Sequence, residues 1–402
     1  MDKKNILFIC QYFYPETFRG NDIAFHWAEK GHNVHVITGI PNYPQGSFFS
    51  GYNWFKKRSE NVKGVKVTRL PIIPRKNSKI MLILNYFSYL ILSCIYIFFH
   101  ALFNHYDCVF VQQLSPVTMS ASGIIYKKIR KVPLYTWVLD LWPDSLSAAG
   151  GINNRHVLNF FDFFVKKEYK YSDKLLISSK SFECNILNYG PYKDKIIYYP
   201  QWADDNWDVN YNDILPQLPD GFIVMFAGAI GEAHGFETNM QAALLTKNHK
   251  NIKWVILGDG RKLDWVRSFV KDNDLGETVY ILGRYPVETM SYFFNRADVM
   301  LVSLSDSSLY NLYAPAKISS YLAAGKPIIA ILNGEGQEVI NDANCGISLS
   351  AGDYIGLANS VIKCSLMDKE KLNQLGKNGR AYYEKNFCKD TSLEKIDRIM
   401  SL

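Results

Sequence analysis

"IMLILNYFSYLILSCIYIFFHALF" (Ile80–Phe103) is the stretch on which the fold turns, because its 24 residues include no Asp, Glu, Lys or Arg. As a helix it rises about 36 Å, enough to cross a hydrocarbon core of about 30 Å. Composition alone therefore makes it a membrane span, but its neighbours decide otherwise. "GVKVTRLPI" (64–72) before it and "DCVFVQQ" (107–113) after it both read as buried strands of one sheet, and a span between them would put the two on opposite sides of a bilayer. Two readings stay open: a helix lying on a leaflet, or a crossover helix packed on the sheet. Asn85, Ser88, Ser93 and His100, with Tyr86, Tyr89 and Tyr96, suit an interface better than a bilayer centre. Arg75, Lys76 and Lys79 precede the run, and "YNWFKKR" (52–58) and "NFFDFFVKKEYK" (159–170) also pair aromatics with Lys or Arg. The three stretches together read as one surface that meets an anionic membrane.

Outward from this run, apolar strands alternate with helical stretches. "NILFICQYF" (5–13), "GHNVHVITG" (31–39), "VPLYTWVLD" (132–140) and "DKLLISS" (173–179) continue the first series, with a helix over about 21–30. The Pro- and Asp-containing "IIYYPQWADD" (196–205) reads as a linker, after which the pattern restarts. "GFIVMFAGAI" (221–230), "IKWVILGDG" (252–260), "TVYILGRY" (278–285), "ADVMLVSL" (297–304) and "KPIIAIL" (326–332) are five further buried strands. Strands alternating with helices imply doubly wound parallel sheets, here two Rossmann-like α/β domains in tandem. The expected division is 1–200, 201–384, and a terminal helix over 385–402 for which a return to the first domain is one open arrangement.

Composition narrows the class without naming it. An apolar fraction of 48% with 21% charged residues is that of a globular protein with a full core. The net charge of +7 is too small for its length to argue nucleic acid, and suits a small anionic ligand or an anionic lipid surface. The seven cysteines are odd in number and never form C-x-x-C, which implies reduced thiols and no zinc site. The first apolar segment is too short for a secretory leader, so the chain is expected on the cytoplasmic side.

Ligands of open α/β sheets bind beyond the carboxyl ends of the strands. Three such ends in the second half carry glycine turns: Gly228, Gly231 and Gly235 in "FAGAIGEAHGFE", Gly258 and Gly260 before Arg261 and Lys262, and Gly283 before Arg284. Glycine turns that open helices offer backbone N–H groups to an anion, so a phosphate-bearing ligand is expected there. In "YNLYAPAKISSYLAAGKPIIA" (310–330) the helix over 316–325 places Lys317 in its first turn, beside such a ligand or as a solvated surface lysine. Glu335 and Glu338 of "GEGQEV" (334–339) read as caps of the following helix.

With these motifs in order along most of its length, the chain resembles the bacterial retaining glycosyltransferases of family 4. It is most similar to the branch that builds capsule and O-antigen sugars, including L-N-acetylfucosamine transferases. "QYFYPETFRGNDIA", "GHNVHVITGIPNYPQG", "VLDLWPDSL", "GAIGEAHGFE", "LGDGRK" and "PAKISSYLAAGKPIIA" carry the resemblance. It implies the GT-B fold, two Rossmann-like domains with an interdomain cleft. It further implies a UDP-sugar donor, an N-acetylated amino or deoxyamino hexose, and a polyprenyl-diphosphate-linked acceptor. Transfer would retain the anomeric configuration without metal or cofactor, in a peripheral protein on the cytoplasmic face of the inner membrane.

Carried over by position, the resemblance assigns Arg19, Gly20, Asn21, Gly228, Gly231, His234, Gly258, Arg261, Gly283 and Arg284 to the donor. Ala314, Pro315, Lys317 and Ser320 join them, with Lys317 also catalytic. Asp140 and Asp144 are its candidates for proton handling, and Tyr14, Asn42, Tyr43 and Trp142 for the acceptor. Asp140 is equally readable as a cap, and His234 as a structural loop residue. The chain departs from the family where many members carry two glutamates eight apart: here stand Leu312 and Ser320. Leu139 also replaces a common histidine. Two other functions share the pattern, a UDP-N-acetylglucosamine 2-epimerase on the same scaffold and a non-catalytic subunit of a glycan assembly complex.

Overall fold

Each unit of the chain is built on one largely parallel sheet, most of whose strands are the apolar runs read above. The computed structural model describes residues 2–76, 78–150, 154–203 and 215–402. It divides into a first unit, Met1–Pro200 with Leu393–Leu402, and a second, Gln201–Ser392.

The first unit runs β1 (Asn5–Ile9), α1 (Arg19–Glu29), β2 (Asn33–Gly39), β3 (Ser59–Val62), β4 (Val65–Leu70), α2 (Lys79–Phe103) and β5 (Cys108–Gln113). It continues with α3 (Ser120–Arg130), β6 (Leu134–Val138), α4 (Asp144–Gly150), α5 (Arg155–Tyr171), β7 (Lys174–Ile177), α6 (Phe182–Leu187) and β8 (Ile196–Tyr198). The strand order is β3-β4-β2-β1-β5-β6-β7-β8, parallel except for β3. The order reverses between β1 and β5, which puts the ligand end of this sheet at the loops after those strands. β4 pairs with β2 and β5 with β1, so α2, which connects them, is a crossover helix and does not span a bilayer. The stretch read as linker is corrected at its start: Ile196–Tyr198 pairs with β7 as the edge strand. Three apolar residues were too few to show a strand's periodicity; residues 204–205 lie outside the described part.

α2 is inverted relative to a soluble amphipathic helix. Its buried stripe, Asn85, Tyr89, Ser93, Ile97 and Ala101 at spacings of four, includes its most polar members. Asn85 Oδ1 accepts from Gln11 Nε2 at 2.7 Å while its Nδ2 donates to the Ile73 carbonyl. The Tyr89 hydroxyl donates to the Cys10 carbonyl at 2.9 Å. The opposite stripe, Ile80, Ile83, Leu84, Phe87, Ile91, Ile95, Phe98 and Leu102, is exposed, and Phe103 is 84% exposed. Asn85, Tyr89 and Ser93 therefore face the sheet and not an interface, a correction to the sequence reading. The Arg130 guanidinium donates to the carbonyls of Ala101 and Leu102, satisfying the C-terminal end of α2. α3 packs against both α2 and α5, and the Phe87 ring of α2 meets that of Phe160 of α5 in a tilted contact at 5.8 Å. The exposed Phe160 and Phe163 extend the apolar face. α5 starts where the Asn154 side chain accepts from the His156 and Val157 amides.

The second unit runs β9 (Phe222–Ala227), α7 (Phe236–Leu245), β10 (Ile252–Leu257), α8 (Leu263–Asp272), β11 (Val279–Gly283), α9 (Met290–Arg296) and β12 (Val299–Ser303). Then follow α10 (Ala316–Ala323), β13 (Ile328–Ile331), α11 (Glu335–Ala343), β14 (Gly346–Leu349), α12 (Tyr354–Ser365) and α13 (Lys369–Asn386). Its strands are ordered β11-β10-β9-β12-β13-β14 and all pair in parallel. α14 (Lys389–Met400) closes the chain. From Leu393 on it belongs to the first unit, where Asp397 accepts from Trp27 Nε1 at 3.0 Å and pairs with Lys30 at 2.7 Å and His26 at 2.9 Å.

Candidate active site

At the carboxyl end of the second sheet, β9 leads into a turn where Gly228 adopts φ +150°. A Cβ there would lie 2.9 Å from Lys317 Nζ. The next strand's turn approaches just as closely: a Cβ on Gly258 would fall 1.8 Å from the Gly228 carbonyl oxygen. Glycine is thus required at Gly258 by both conformation and contact, and at Gly228 by conformation. Two amides join the loops, Gly228 to the Leu257 carbonyl at 2.9 Å and Ile230 to the Asp259 carbonyl at 2.9 Å.

Lys317 is placed by its own helix. Tyr321, one turn further along α10, donates its hydroxyl to the Ala227 carbonyl and accepts from the Ala227 amide, both at 3.0 Å. Residues four apart share a helix face, so this clamp delivers the Lys317 ammonium to the Phe226 ring, 3.9 Å from its centroid. The stem keeps some exposure, but Nζ is buried and has no hydrogen-bond partner. Burial lowers its pKa to about 7. His234 lies in the same pocket wall, its Nδ1 also buried and unpartnered. Desolvation, and secondarily the Lys317 charge, lowers the imidazole to about 4. The backbone of the His234 loop is stapled to β12. The Ser303 hydroxyl donates to the His234 carbonyl at 2.6 Å, and the Ser305 amide to the Ala233 carbonyl at 3.0 Å. A buried lysine nitrogen without a hydrogen-bond partner, beside a glycine turn and a neutral imidazole, is an arrangement that can receive an anion.

Other predicted donor residues surround this centre to different degrees. Gly231 is extended, its position nearest to His234 Nδ1. Ala314 and Pro315 lead into α10, with Pro315 at its N-cap, and Ser320 is half-buried on that helix. Gly283 closes β11 at φ +81°, followed by an exposed Arg284; Arg261 is exposed too. Lys262 is already engaged between Glu232, at 2.9 Å, and Glu237. Phe226, Tyr321, Ser303 and Ser305 were missed in the sequence. Of these, only Tyr321 carried a signal, its spacing of four from Lys317.

In the first unit the ends of β1, β2, β5 and β6 hold the remaining candidates. Arg19 and Gly20 open α1, with Gly20 pressed against the Gln112 side chain. Asn21 donates to the Glu16 carbonyl at 2.6 Å. The Glu16 carboxylate, unassigned in the sequence, is buried and accepts the amides of Phe13, Asn42 and Tyr43 at 3.2, 2.8 and 2.6 Å. Burial outweighs these bonds and raises it to about 7. It joins the loop after β1 to the loop after β2. Asn42, predicted to meet an acceptor, is 0% exposed. Its amide donates to the Ile40 carbonyl and accepts from the Arg75 amide, which makes it a loop-building residue and corrects that assignment. Trp142 is corrected likewise: it is buried on Phe161, and its indole N–H donates to Asp140 at 3.1 Å. Asp140 also accepts from the Ser115 hydroxyl. Asp144 is exposed and accepts from Asn185 at 2.9 Å. Tyr14 and Tyr43 present exposed rings. A separate groove of about 470 Å³ lies beside α2, lined by Leu92, Ile95, Phe99, Phe103 and Pro71, and belongs to the apolar surface.

Two tandem Rossmann-like units, each built on a largely parallel sheet, define the GT-B class of fold. Residues 212–382 match the family model described as glycosyl transferases group 1. Over 250 residues the chain is 26% identical to the Escherichia coli K12 protein described as a colanic acid biosynthesis glycosyl transferase, WcaI. That alignment covers 58% of this chain and 59% of the relative, so it spans less than two thirds of that protein's length. Among solved structures, sucrose-phosphate synthase from Thermosynechococcus elongatus superimposes with a TM-score of 0.72 at 16% identity, covering 99% of this chain and 98% of that one. Anabaena HepE in complex with UDP-glucose gives 0.68 at 14%, covering 99% of each. WaaG, a glycosyltransferase involved in lipopolysaccharide biosynthesis, gives 0.65 at 14%, covering 98% and 99%. At these identities the likenesses establish the GT-B fold.

Proposed function

We propose that this protein is a retaining glycosyltransferase that moves a sugar from a UDP-sugar to a polyprenyl-diphosphate-linked saccharide in capsule or O-antigen assembly. The observation that carries the reading is the buried Lys317 ammonium, without a hydrogen-bond partner and beside His234 at the Gly228 turn. A diphosphate is the ligand whose charge this pocket lacks. Lys317, the turn amides and the start of α10 stabilise a leaving nucleoside diphosphate as charge develops on it, the part a divalent cation plays in other sites. The transfer in this reading needs no metal. An N-acetylated amino or deoxyamino hexose is the sugar the reading favours. Asp140, tied to Ser115 and Trp142, is the acceptor-side carboxylate, and Asp144 its exposed neighbour.

The exposed apolar stripe of α2, with Phe160, Phe163, Trp54 and the 90%-exposed Phe55, supports peripheral docking on an anionic leaflet at the cytoplasmic face of the inner membrane. Lys166 and Lys167 of α5 flank it. Such docking would bring the enzyme to a lipid-carried acceptor.

The test is UDP release from a panel of UDP-sugars, with and without lipid-linked acceptor. Acceptor-dependent release is expected. Turnover of UDP-N-acetylglucosamine without acceptor would instead indicate an epimerase. Failure to bind any uridine nucleotide would leave a non-catalytic subunit.

A further inference from the structure

Arg75 lies on the strap between β4 and α2, and the surroundings of its guanidinium differ from those of an ordinary surface arginine. The group stands over the Tyr43 ring at 4.9 Å and the Tyr12 ring at 5.9 Å, and donates one N–H to the Tyr12 hydroxyl at 3.3 Å. Tyr12 in turn packs on Phe18 and Tyr43, at 5.4 and 5.6 Å. The backbone is fixed as firmly: the Arg75 amide donates to Asn42 Oδ1 at 3.1 Å and the Lys76 amide to the Gly46 carbonyl at 2.7 Å. Among the described residues no carboxylate pairs with this cation. An aromatic cage that positions a guanidinium without neutralising it leaves most of its five donors for an anion. The planar fork matches the oxygens of a phosphate in two-point contact.

Position supplies the second half of the argument. The exposed apolar stripe of α2 begins at Ile80, five residues after Arg75. Five residues reach at most about 18 Å, so the backbone of Arg75 is tethered within that distance of the first exposed residue of the stripe. Asp140 and Arg75 both act on the Tyr86 phenol of α2, which brings the cage close to the carboxylate assigned to the acceptor.

We propose that Arg75, caged by Tyr12 and Tyr43, reads the diphosphate of the membrane-borne acceptor. This rests on the reading that the acceptor is a prenyl diphosphate carried by the leaflet. It makes Arg75 a specificity determinant for the acceptor and gives it no part in donor binding.

The test is equilibrium binding of farnesyl diphosphate, farnesol and inorganic pyrophosphate to the full chain, wild type and R75Q, beside pelleting with phosphatidylglycerol vesicles and UDP titration. R75Q is expected to weaken farnesyl diphosphate at least tenfold. Farnesol binding, pelleting and UDP affinity should match wild type. Inorganic pyrophosphate should compete with farnesyl diphosphate in the wild type only. R75K, which keeps the charge and loses the fork, should fall between. Should R75Q not fold, Y43A removes an exposed ring of the cage and is expected to weaken the same ligand. Undiminished farnesyl diphosphate binding in folded R75Q would overturn the proposal. So would a loss confined to vesicle pelleting, since the arginine would then read bulk lipid head groups. Arg75-dependent binding in a protein that ignores UDP would sink the transferase reading and leave this one standing.

Discussion

Lys317 holds its ammonium 3.9 Å from the centre of the Phe226 ring, one helical turn before the tyrosine that ties α10 to β9. A cation on an aromatic face, cut off from water and from every hydrogen-bond acceptor, is costly in the unliganded protein. An anion entering the site would recover the cost.

Lys317→Met should therefore separate stability from binding. Methionine fills similar volume without burying a charge, so the unliganded variant should be more stable by about 1 kcal/mol in chemical denaturation. Its UDP affinity should fall about 10- to 100-fold, the value of a charged hydrogen bond. A variant that is less stable and binds UDP normally would contradict the anion-receptor reading.

The pH dependence of UDP binding follows from the same group. Lys317 in the unliganded protein is lowered to about 7 by burial, and a bound diphosphate favours its charged form. Below pH 7 the lysine is protonated in both states and contributes no slope. Above pH 7 binding must draw in a proton, so affinity should fall by up to about tenfold per pH unit. Calorimetric titration between pH 7 and 8.5, in two buffers of different ionisation enthalpy, should show weakening together with proton uptake. Flat affinity with no uptake would place the charge elsewhere.

The fold was legible because its strands are short apolar runs set off by glycine and proline, a local signal that survives without an alignment. The strands that were not legible, Ser59–Val62, Ile196–Tyr198 and Gly346–Leu349, lie at sheet edges, where half-exposed residues blur the apolar pattern. The glycine turns and Lys317 were legible as residue types, but the unpartnered state of the ammonium is a tertiary fact, made by Tyr321 and Phe226 together. Asn42 and Trp142 misled for the opposite reason. Polar and aromatic residues in a loop after a strand look available for ligand, and only packing shows that Glu16 and Asp140 have already engaged those loops. Composition showed that α2 is apolar but not which side is buried.

The anchoring of the last helix gives a test independent of ligand. Asp397 is buried against Trp27, His26 and Lys30. Burial works to raise its carboxyl, and the His26 and Lys30 bonds overcome this and hold it below the usual carboxylate range. Asp397→Ala should cost about 2 kcal/mol in the unfolding of the first unit, less than a fully buried pair because Lys30 is partly solvated. A folded pKa below the unfolded value means the contribution is complete above about pH 4 and is lost as pH falls further. The wild type should thus lose its advantage over the variant in acid, and a difference that persists at pH 2 would refute the ionic account.

The inverted helix makes the sharpest contrast between two kinds of substitution. Ile91 and Phe98 lie on the exposed stripe of α2, whereas Ser93 lies on the buried one. Replacing Ile91 and Phe98 by Glu puts two charges on half-exposed positions outside the buried stripe, where the main packing lost is the Phe98 contact with Phe99, so stability should change by no more than about 1 kcal/mol per site. The same charges would have to enter the interfacial layer of an anionic leaflet, so pelleting with phosphatidylglycerol vesicles should be abolished. Ser93→Leu should do the reverse. Extra volume against the sheet should destabilise the first unit by about 1–3 kcal/mol and leave vesicle binding of the folded fraction intact. For the wild type, raising salt should weaken pelleting only in part, since it screens Lys166 and Lys167 but not the apolar contact. Vesicle binding by the double glutamate variant equal to wild type would show that the exposed stripe of α2 meets something other than lipid.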